Sequence, residues 1–332
     1  MRRKAGLVLL AFAVFFTAMS PLTRWYAFPR LAKIPPGQYQ DAVLEAENPT
    51  LIDYGTMTAK KIDKVTIVQT LKGNVEASEK IEESTDRDVV VWDALSYVED
   101  DKGKMVSKIP ERYIFDAHSQ EPVHAAGESV DGDPVRRQGI EFKWPFLTEK
   151  RDYAYFDAQA RVTKPIHYKG TRNFRGLEVY YFEQTIPWTK VPFPKTMPVK
   201  GITAESLSET GTTRWYTTVR KFWVEPATGA PVYGEEIQKN ELRGGTLLGD
   251  RDKLTVFEGH VKMRGDYVED TVDLVTSQRV LVLLLTSYLP WGFLGLGLLL
   301  LALSLWLEAR GRGRGGPGPT ASSGTAPQPA TA

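Results

Sequence analysis

The sequence predicts a mainly β (β-rich α+β) extracytoplasmic domain of antiparallel meanders, flanked by one transmembrane helix at each end. Two observations lead to this prediction. Long uncharged segments lie near both ends of the chain. Between them, apolar and polar residues alternate in several short runs separated by turn residues, as is typical of antiparallel strands. The chain therefore divides into five regions: a cytoplasmic N-terminus (1–4), a first transmembrane helix (5–23), an extracytoplasmic β-rich domain (24–279), a second transmembrane helix (280–307) and a disordered cytoplasmic tail (308–332).

The first apolar segment follows three basic residues and runs uncharged from Ala5 to Thr23. As a helix it spans roughly 28 Å, about one hydrocarbon core. A basic start and an apolar stretch are typical both of a retained membrane helix and of a cleaved signal peptide, so both interpretations remain open. Because Pro21 follows the only small-x-small cleavage site, Ala18-Met19-Ser20, the sequence favours a retained helix.

The second apolar segment, Val280–Leu307, contains 28 residues without a charge. A membrane-spanning helix needs only about 18, and a soluble helix of this length has a polar face that this segment lacks. Pro290 and Gly292 interrupt the segment and predict a kink.

Basic residues lie just outside both apolar segments, on the short ends of the chain. They are Arg2, Arg3, Lys4, Arg310, Arg312 and Arg314. The positive-inside rule places such ends in the cytoplasm, so both termini are predicted to be cytoplasmic and residues 24–279 to lie outside the plasma membrane. The tail sequence RGRGRGG fits either an RNA-binding motif or a stop-transfer cluster at anionic headgroups, and the second is favoured.

Composition excludes several classes of function. The 332 residues include 42 Lys and Arg against 41 Asp and Glu, so a nucleic-acid binder acting through bulk charge is excluded. There is no cysteine, which excludes disulfide scaffolds, thiolate catalysis and zinc–cysteine or iron–sulfur centres. No catalytic constellation is present, and so we predict no enzyme activity, no cofactor and no metal site.

Strands are predicted where apolar residues recur at every second position and, at 88–92, where they form the short continuous run of a buried strand. The runs are 65–71, 88–92, 177–182, 213–224 and 253–263. On the fourth run, Trp215, Val219 and Trp223 share one face. After the last run, Asp266 stands three residues before Glu269, which predicts a helix N-cap. Val268, Val272 and Val275 then recur at helical spacing, and the helix is predicted to continue into the second span.

Two hairpin turns share a residue pattern. Residues 222–232 place an aromatic residue first, Glu225 fourth, Thr228 seventh and Pro-Val at the end, and residues 113–123 repeat this frame 109 residues upstream. An internal duplication and a chance likeness are both compatible with the pattern. A duplication would predict two related meanders in place of one sheet.

The segment Ile186–Lys200 has four prolines, three lysines and no acidic residue. Proline is excluded from sheet interiors, so an extended loop is predicted. Its candidate contacts with a ligand or membrane are Trp188, Lys190, Phe193, Lys195 and Met197. Such a loop would touch a lipid surface or gate an apolar pocket. The alternative is a polyproline-like loop packed over the β core.

Four stretches resemble a family of actinobacterial membrane proteins, the PorA-type family. They are Lys143–Tyr153, Tyr155–Asp157, Leu177–Ile186 and the hairpin that begins at Trp223-Val-Glu-Pro. The resemblance covers nearly the whole chain and implies a porin. Neither a transmembrane β-barrel nor a charged pore is visible in these residues. The overall plan is also similar to that of scavenger-receptor class B proteins, which carry lipids through a tunnel in their outer domain; this likeness rests on topology alone.

Two functions lead. The first is a non-enzymatic module that binds or transfers a lipid or another apolar envelope component. The second is a subunit of a PorA-type channel, which would need several copies because two apolar helices cannot enclose a pore. A purely structural envelope protein is a third possibility. The predicted partners are membrane lipids and, in addition, other envelope proteins or further copies of the chain, with no nucleic acid.

Overall fold

A computed structural model describes residues 2–312, with side chains from residue 4 to residue 310. The described chain forms two compact units. One holds the residues up to Phe28 and from Leu284 onward, and the other is Pro29–Leu283. The predicted tail lies outside the described residues from 313 onward, whereas 308–312 continue a helix.

Six helices are described, and most of the helical residues lie near the two ends of the chain. They are α1 (Arg2–Pro21), α2 (Phe28–Leu31), α3 (Val75–Thr85), α4 (Ala204–Glu209), α5 (Gly265–Leu283) and α6 (Leu289–Arg312), with π-helical turns at Leu22–Ala27 and Leu284–Tyr288. Two continuous helical stretches, Lys4–Leu31 and Gly265–Arg310, are long and apolar enough to cross a membrane. This confirms a helix at each end that is long and apolar enough to span a membrane.

The terminal unit is a pair of packed helices, α1 and α6, joined through small residues. Ala13 is buried, and a Cβ added at Gly297 would lie 2.5 Å from the Thr17 Oγ1. The Ser304 hydroxyl donates to the Gly6 carbonyl at 2.8 Å. Small residues let helix backbones approach closely where no hydrophobic effect drives their association.

The second unit is built on one antiparallel sheet of 14 strands. The strands are β1 (Tyr39–Glu47), β2 (Thr50–Asp53), β3 (Thr58–Lys61), β4 (Lys64–Gly73), β5 (Val89–Glu99), β6 (Met105–Asp116), β7 (Ser129–Val130), β8 (Asp133–Pro134), β9 (Tyr153–Asp157), β10 (Val162–Phe174), β11 (Leu177–Val191), β12 (Thr213–Glu225), β13 (Ala230–Arg243) and β14 (Lys253–Met263). Their order in space is β8-β7-β6-β5-β4-β1-β14-β13-β12-β11-β10-β9, with β2 and β3 beside β14. The predicted mainly β fold is thereby confirmed, and every predicted run lies within a strand or overlaps one.

Two meanders make up this sheet, β4 to β8 and β9 to β14. Strand β1 pairs with β4 on one side and with β14 on the other, so the meanders form one continuous sheet. A duplication would have predicted two separate meanders, whereas the first strand of the domain fuses them.

The segment between β8 and β9 links the two outer edges of the sheet. Ile140 exchanges backbone hydrogen bonds with strand β9, at 2.9 Å to Ala154 and 3.0 Å from Phe156. Three residues earlier, the Arg137 guanidinium donates to Glu111 on β6 at 3.0 Å. Because one short segment holds both edges, the sheet curls around an interior space instead of lying flat.

Helix α5 buries the predicted valines, Val268, Val272 and Val275, against the outer face of the sheet. Its start differs from the prediction. Asp266 lies inside the first turn, where its carboxylate accepts the adjacent Tyr267 N–H and the Arg264 Nε–H, and so it is not the N-cap.

Candidate functional site

The curled sheet surrounds a partly open cavity of about 290 Å³. Ten strands contribute to its wall: β1, β2, β4, β5, β6, β7, β9, β12, β13 and β14. The space is lined mainly by apolar side chains: Leu44, Leu51, Ile52, Ile67, Val98, Ile109, Phe142, Val256 and Val261. It lies at the small end of the range for ligand sites, which are mostly apolar with a few placed polar groups.

Arg214 on β12 is the most unusual polar residue in this wall. Its side chain is 8% exposed, and its guanidinium donates only to neutral oxygens. These are the Pro192 carbonyl at 3.1 Å, the Gln159 Oε1 at 3.1 Å and the Asn240 Oδ1 at 3.0 Å. The Nε–H is buried without any hydrogen-bond acceptor.

The charge of Arg214 is poorly compensated. Among the described residues, no carboxylate oxygen forms an ion pair with it within 4 Å. The acidic residue that acts on it from further away is Asp131, whose Oδ2 accepts the Lys195 backbone N–H at 2.7 Å. The other titratable neighbours are Tyr54 and Tyr216, both buried. Burial lowers the pKa of Arg214 from its ordinary value, since the charged form has lost its water.

Arg220, which stands on the same face of β12 as Arg214, is fully paired. Its guanidinium contacts the buried Asp157 at 3.1 Å and also Glu236. The neighbouring acids raise the pKa of Arg220 despite its burial. The comparison shows that the domain neutralises one cavity arginine internally and leaves the other without a counter-ion.

A second buried cluster surrounds Arg137, at the bridge between the two sheet edges. This guanidinium contacts Glu141 at 2.7 Å, Glu111 at 3.0 Å and Glu128 at 3.4 Å. One positive charge cannot balance three buried carboxylates. Burial and the neighbouring Glu141 raise the pKa of Glu111 to about 8, so Glu111 is mainly protonated at neutral pH. We assign this cluster to closure of the sheet.

An open cleft of about 740 Å³ lies on the other side of Arg214. Pro192, Phe193 and Arg214 line both the cleft and the cavity, so they form the wall between the two spaces. Lys190 and Lys195 line the cleft. The cleft therefore leads from solvent to the cavity wall at Arg214.

The proline-rich segment differs in part from the prediction. Residues 186–191 belong to strand β11, so the expectation that its prolines keep the whole segment out of the sheet is wrong. The register shifts between Ile186 and Thr189, which places Pro187 and Trp188 in a bulge. A bulge leaves a residue unpaired and so tolerates proline. Beyond Val191 the segment is an irregular loop, as predicted.

The structure brings four of the five predicted contact residues to the two spaces. Lys190 and Lys195 line the cleft, Phe193 lines both spaces, and Met197 lines the cavity. Trp188 lines neither; it is 38% exposed and lies under the guanidinium of Arg243, at 4.3 Å.

Sequence reasoning missed Arg214. The pattern of β12 drew attention to Trp215, Val219 and Trp223, yet the opposite face, which holds Arg214, Tyr216 and Thr218, is the more deeply buried. An arginine in phase with that face was the available signal. This signal is useful only if the buried face of β12 is known, and the sequence does not identify that face because aromatic residues lie on both.

Comparison with known proteins gives consistent results. The family described as Porin PorA matches residues 5–306. A protein of Corynebacterium resistens named Porin PorA is 30% identical over 156 residues, covering 33% of this chain and 38% of that protein. Another of the same name, from Corynebacterium amycolatum, is 24% identical over 302 residues, covering 71% of this chain and 77% of that protein.

Proposed function

The chain belongs to the Porin PorA family, and on that premise we propose that it is a channel-type membrane protein whose outer domain binds an apolar or amphiphilic envelope component. The observation that carries the proposed binding function is the mainly apolar cavity inside the curled sheet. The proposed channel function rests on the name of the relatives. Of the two functions that the sequence favoured, these names support the channel subunit better than the transfer module.

The described spans set a condition on any channel. Residues 5–23 and 280–307 contain no Asp, Glu, Lys, Arg or His. A single helix pair cannot enclose a pore, and ion pathways through membranes usually carry ionisable groups. A channel built from this chain therefore requires several copies, and we propose further copies of the chain as its partners.

Conductance measurements test the proposed channel function. Purified full-length protein in planar lipid bilayers is expected to produce discrete conductance steps, and chemical cross-linking in the same lipids is expected to give oligomers. Monomeric protein that inserts into the bilayer and gives no steps would refute the channel and leave the binding function in place.

Ligand retention tests the binding part. Phe193 separates cleft from cavity, whereas Trp188 on the same segment lines neither space. We expect Phe193→Ser to lower retention of a dodecyl-chain probe in nanodiscs and Trp188→Ser to leave it unchanged. Phe193 also packs against a buried cluster, so the melting temperature is measured on the same samples. Equal retention of the probe in the two variants would contradict the assignment of the cavity as its binding site.

A further inference from the structure

We propose that Arg214 is the headgroup site of the cavity, and that the natural ligand is a singly charged anionic amphiphile. Its acidic head would lie at the guanidinium and its apolar tail in the cavity. This inference rests on the binding function proposed above and adds the chemical class of the ligand.

The first step of the argument is the cost of the buried charge. An ion withdrawn from water without a counter-ion is strongly destabilising, so buried arginines are normally paired. Arg220 and Arg137 follow that rule within the same domain. Arg214 is as well buried, yet it donates only to a carbonyl and two amides. A protein that could have placed a neutral side chain here keeps a cation.

The second step is the location of that charge. Arg214 lines both the open cleft and the apolar cavity. A ligand entering from the cleft meets the guanidinium before the apolar wall. An amphiphile would place its charged head at the guanidinium and its apolar tail in the cavity beyond it. A small ion would contact only the guanidinium, and a neutral hydrocarbon would contact only the apolar wall.

The third step fixes the sign and size of the ligand charge. A guanidinium binds carboxylates and phosphates through paired N–H donors. Asp131 already supplies a partial negative field from beyond ion-pair distance. The cleft adds Lys190 and Lys195 but also Asp133, Glu205 and Glu209, so its other charges leave no surplus for a second negative charge on the ligand. The tail is of medium length, since a cavity of about 150 Å³ accepts benzene and this one has about 290 Å³.

Dodecanoate, dodecanol and acetate serve as probes of head and tail. Full-length protein in nanodiscs is titrated with each by calorimetry, and binding by empty nanodiscs is subtracted. We expect saturable binding of dodecanoate, binding of dodecanol that is weaker by about tenfold or more, equal to about 1.4 kcal/mol, and no measurable binding of acetate. Dodecanol bound as tightly as dodecanoate would overturn the headgroup assignment and leave the cavity as a binding site. Acetate bound as tightly would overturn the amphiphile.

Substitutions assign the effect to the residue. Arg214→Met should abolish the preference for dodecanoate over dodecanol, and Arg214→Lys, which keeps the charge, should retain it. Arg175→Met removes an equal charge from the exposed β10–β11 turn and should change nothing. Because Arg214→Met removes an uncompensated charge and also three hydrogen bonds, the melting temperature without ligand is measured to show that this variant is folded. The proposal would be refuted if Arg214→Met still preferred dodecanoate over dodecanol. It would also be refuted if Arg214→Lys lost this preference to the same extent as Arg214→Met.

Discussion

At the scale of single residues, the domain handles buried charge in two ways. Arg137 is surrounded by three carboxylates, and the domain responds by keeping a proton on Glu111. Arg214 has no such partner, and we assign its missing counter-ion to a ligand. The environment of neither residue could be recognised from the sequence. Glu141 is only four residues from Arg137, but Glu111 and the three acceptors of Arg214 come from distant segments and are brought in only by folding of the sheet.

The protonated state of Glu111 predicts a pH dependence of stability. Its pKa is about 8 in the folded domain and 4.5 in an unfolded chain, so the folded state binds more protons between these values. The contribution of Glu111 to the free energy of unfolding is therefore fully present below pH 4.5 and is lost as the pH rises through 8. Between pH 5 and 7 the melting temperature should fall with rising pH, and Glu111→Gln should flatten this slope.

Lys143 provides an internal check on that measurement. Burial of its amine against backbone carbonyls lowers its pKa to about 7 from 10.5, so its contribution to stability increases between pH 7 and 10.5. The two windows overlap only slightly. A slope between pH 5 and 7 that is identical in the unmodified protein and Glu111→Gln would contradict the account of the Arg137 cluster.

Gly229 shows how one turn controls the packing of another segment. Its φ is +72°, and an added Cβ would lie 2.2 Å from the Trp144 carbonyl oxygen. Gly229→Ala should therefore destabilise the domain by about 3 kcal/mol or more, measured as a loss of melting temperature. Gly176→Ala is the matched control, since Gly176 also has positive φ but open space around it; there we expect about 1 kcal/mol. Equal losses would show that backbone strain alone is responsible.

At the scale of elements, strands were predictable and closure was not. Apolar patterns identified β4, β5, β11, β12 and β14, because the neighbours of these strands bury apolar side chains on one face or, in β5 and β11, on both faces. The bridge from β8 to β9 is held by isolated backbone bonds and one arginine, and these leave no periodic pattern. The bulge at Pro187 shows the same limit: proline correctly marks irregular pairing, yet the strand continues beyond it.

The two similar turns gain a physical explanation at this scale. The Asp116 carboxylate accepts the backbone N–H groups of His118 and Ser119, and the Glu225 carboxylate accepts those of Ala227 and Thr228. The acidic residue and the hydroxyl residue in the shared frame are thus the groups that stabilise the turn. Shared turn chemistry accounts for the likeness, and the duplication stays a hypothesis.

The helix pair α1–α6 depends on close approach at Gly297. A larger residue there would collide with Thr17 and the Ala13 carbonyl. Because the chain has no cysteine, the pair can be monitored by a disulfide between cysteines introduced by Gly6→Cys and Ser304→Cys. We expect Gly297→Leu to prevent this cross-link and Gly295→Leu, at a position with open space, to allow it. Efficient cross-linking in Gly297→Leu would contradict the described packing.

At the scale of the whole molecule, the ends of the chain carry most of the information available from sequence. Length and lack of charge identified both spans, because the membrane imposes a uniform requirement on about 20 successive residues. The binding site carries little such information. It is assembled from ten strands. Its lining depends on which face of each strand turns inward, and the sequence does not show this where both faces are apolar.

The six terminal basic residues predict the orientation of the chain in the membrane. A phosphatase reporter that is active only outside the cytoplasm should be inactive when fused after Gly311 and active when fused after Arg30. The second result also requires the first span to direct export of the reporter fused behind it. Strong activity at Gly311 would contradict two spans with both termini inside.

The central claim is that the interior of the curled sheet holds an amphiphile. Val98 lines the cavity, while its neighbour Tyr97 on β5 points to the opposite face of the sheet. In a chain without native cysteine, Val98→Cys and Tyr97→Cys each provide a single thiol for a maleimide. The rate of labelling should fall at position 98 when dodecanoate is added to full-length protein in nanodiscs, and should stay constant at position 97. Labelling at position 98 that proceeds at the same rate with and without dodecanoate would contradict the claim.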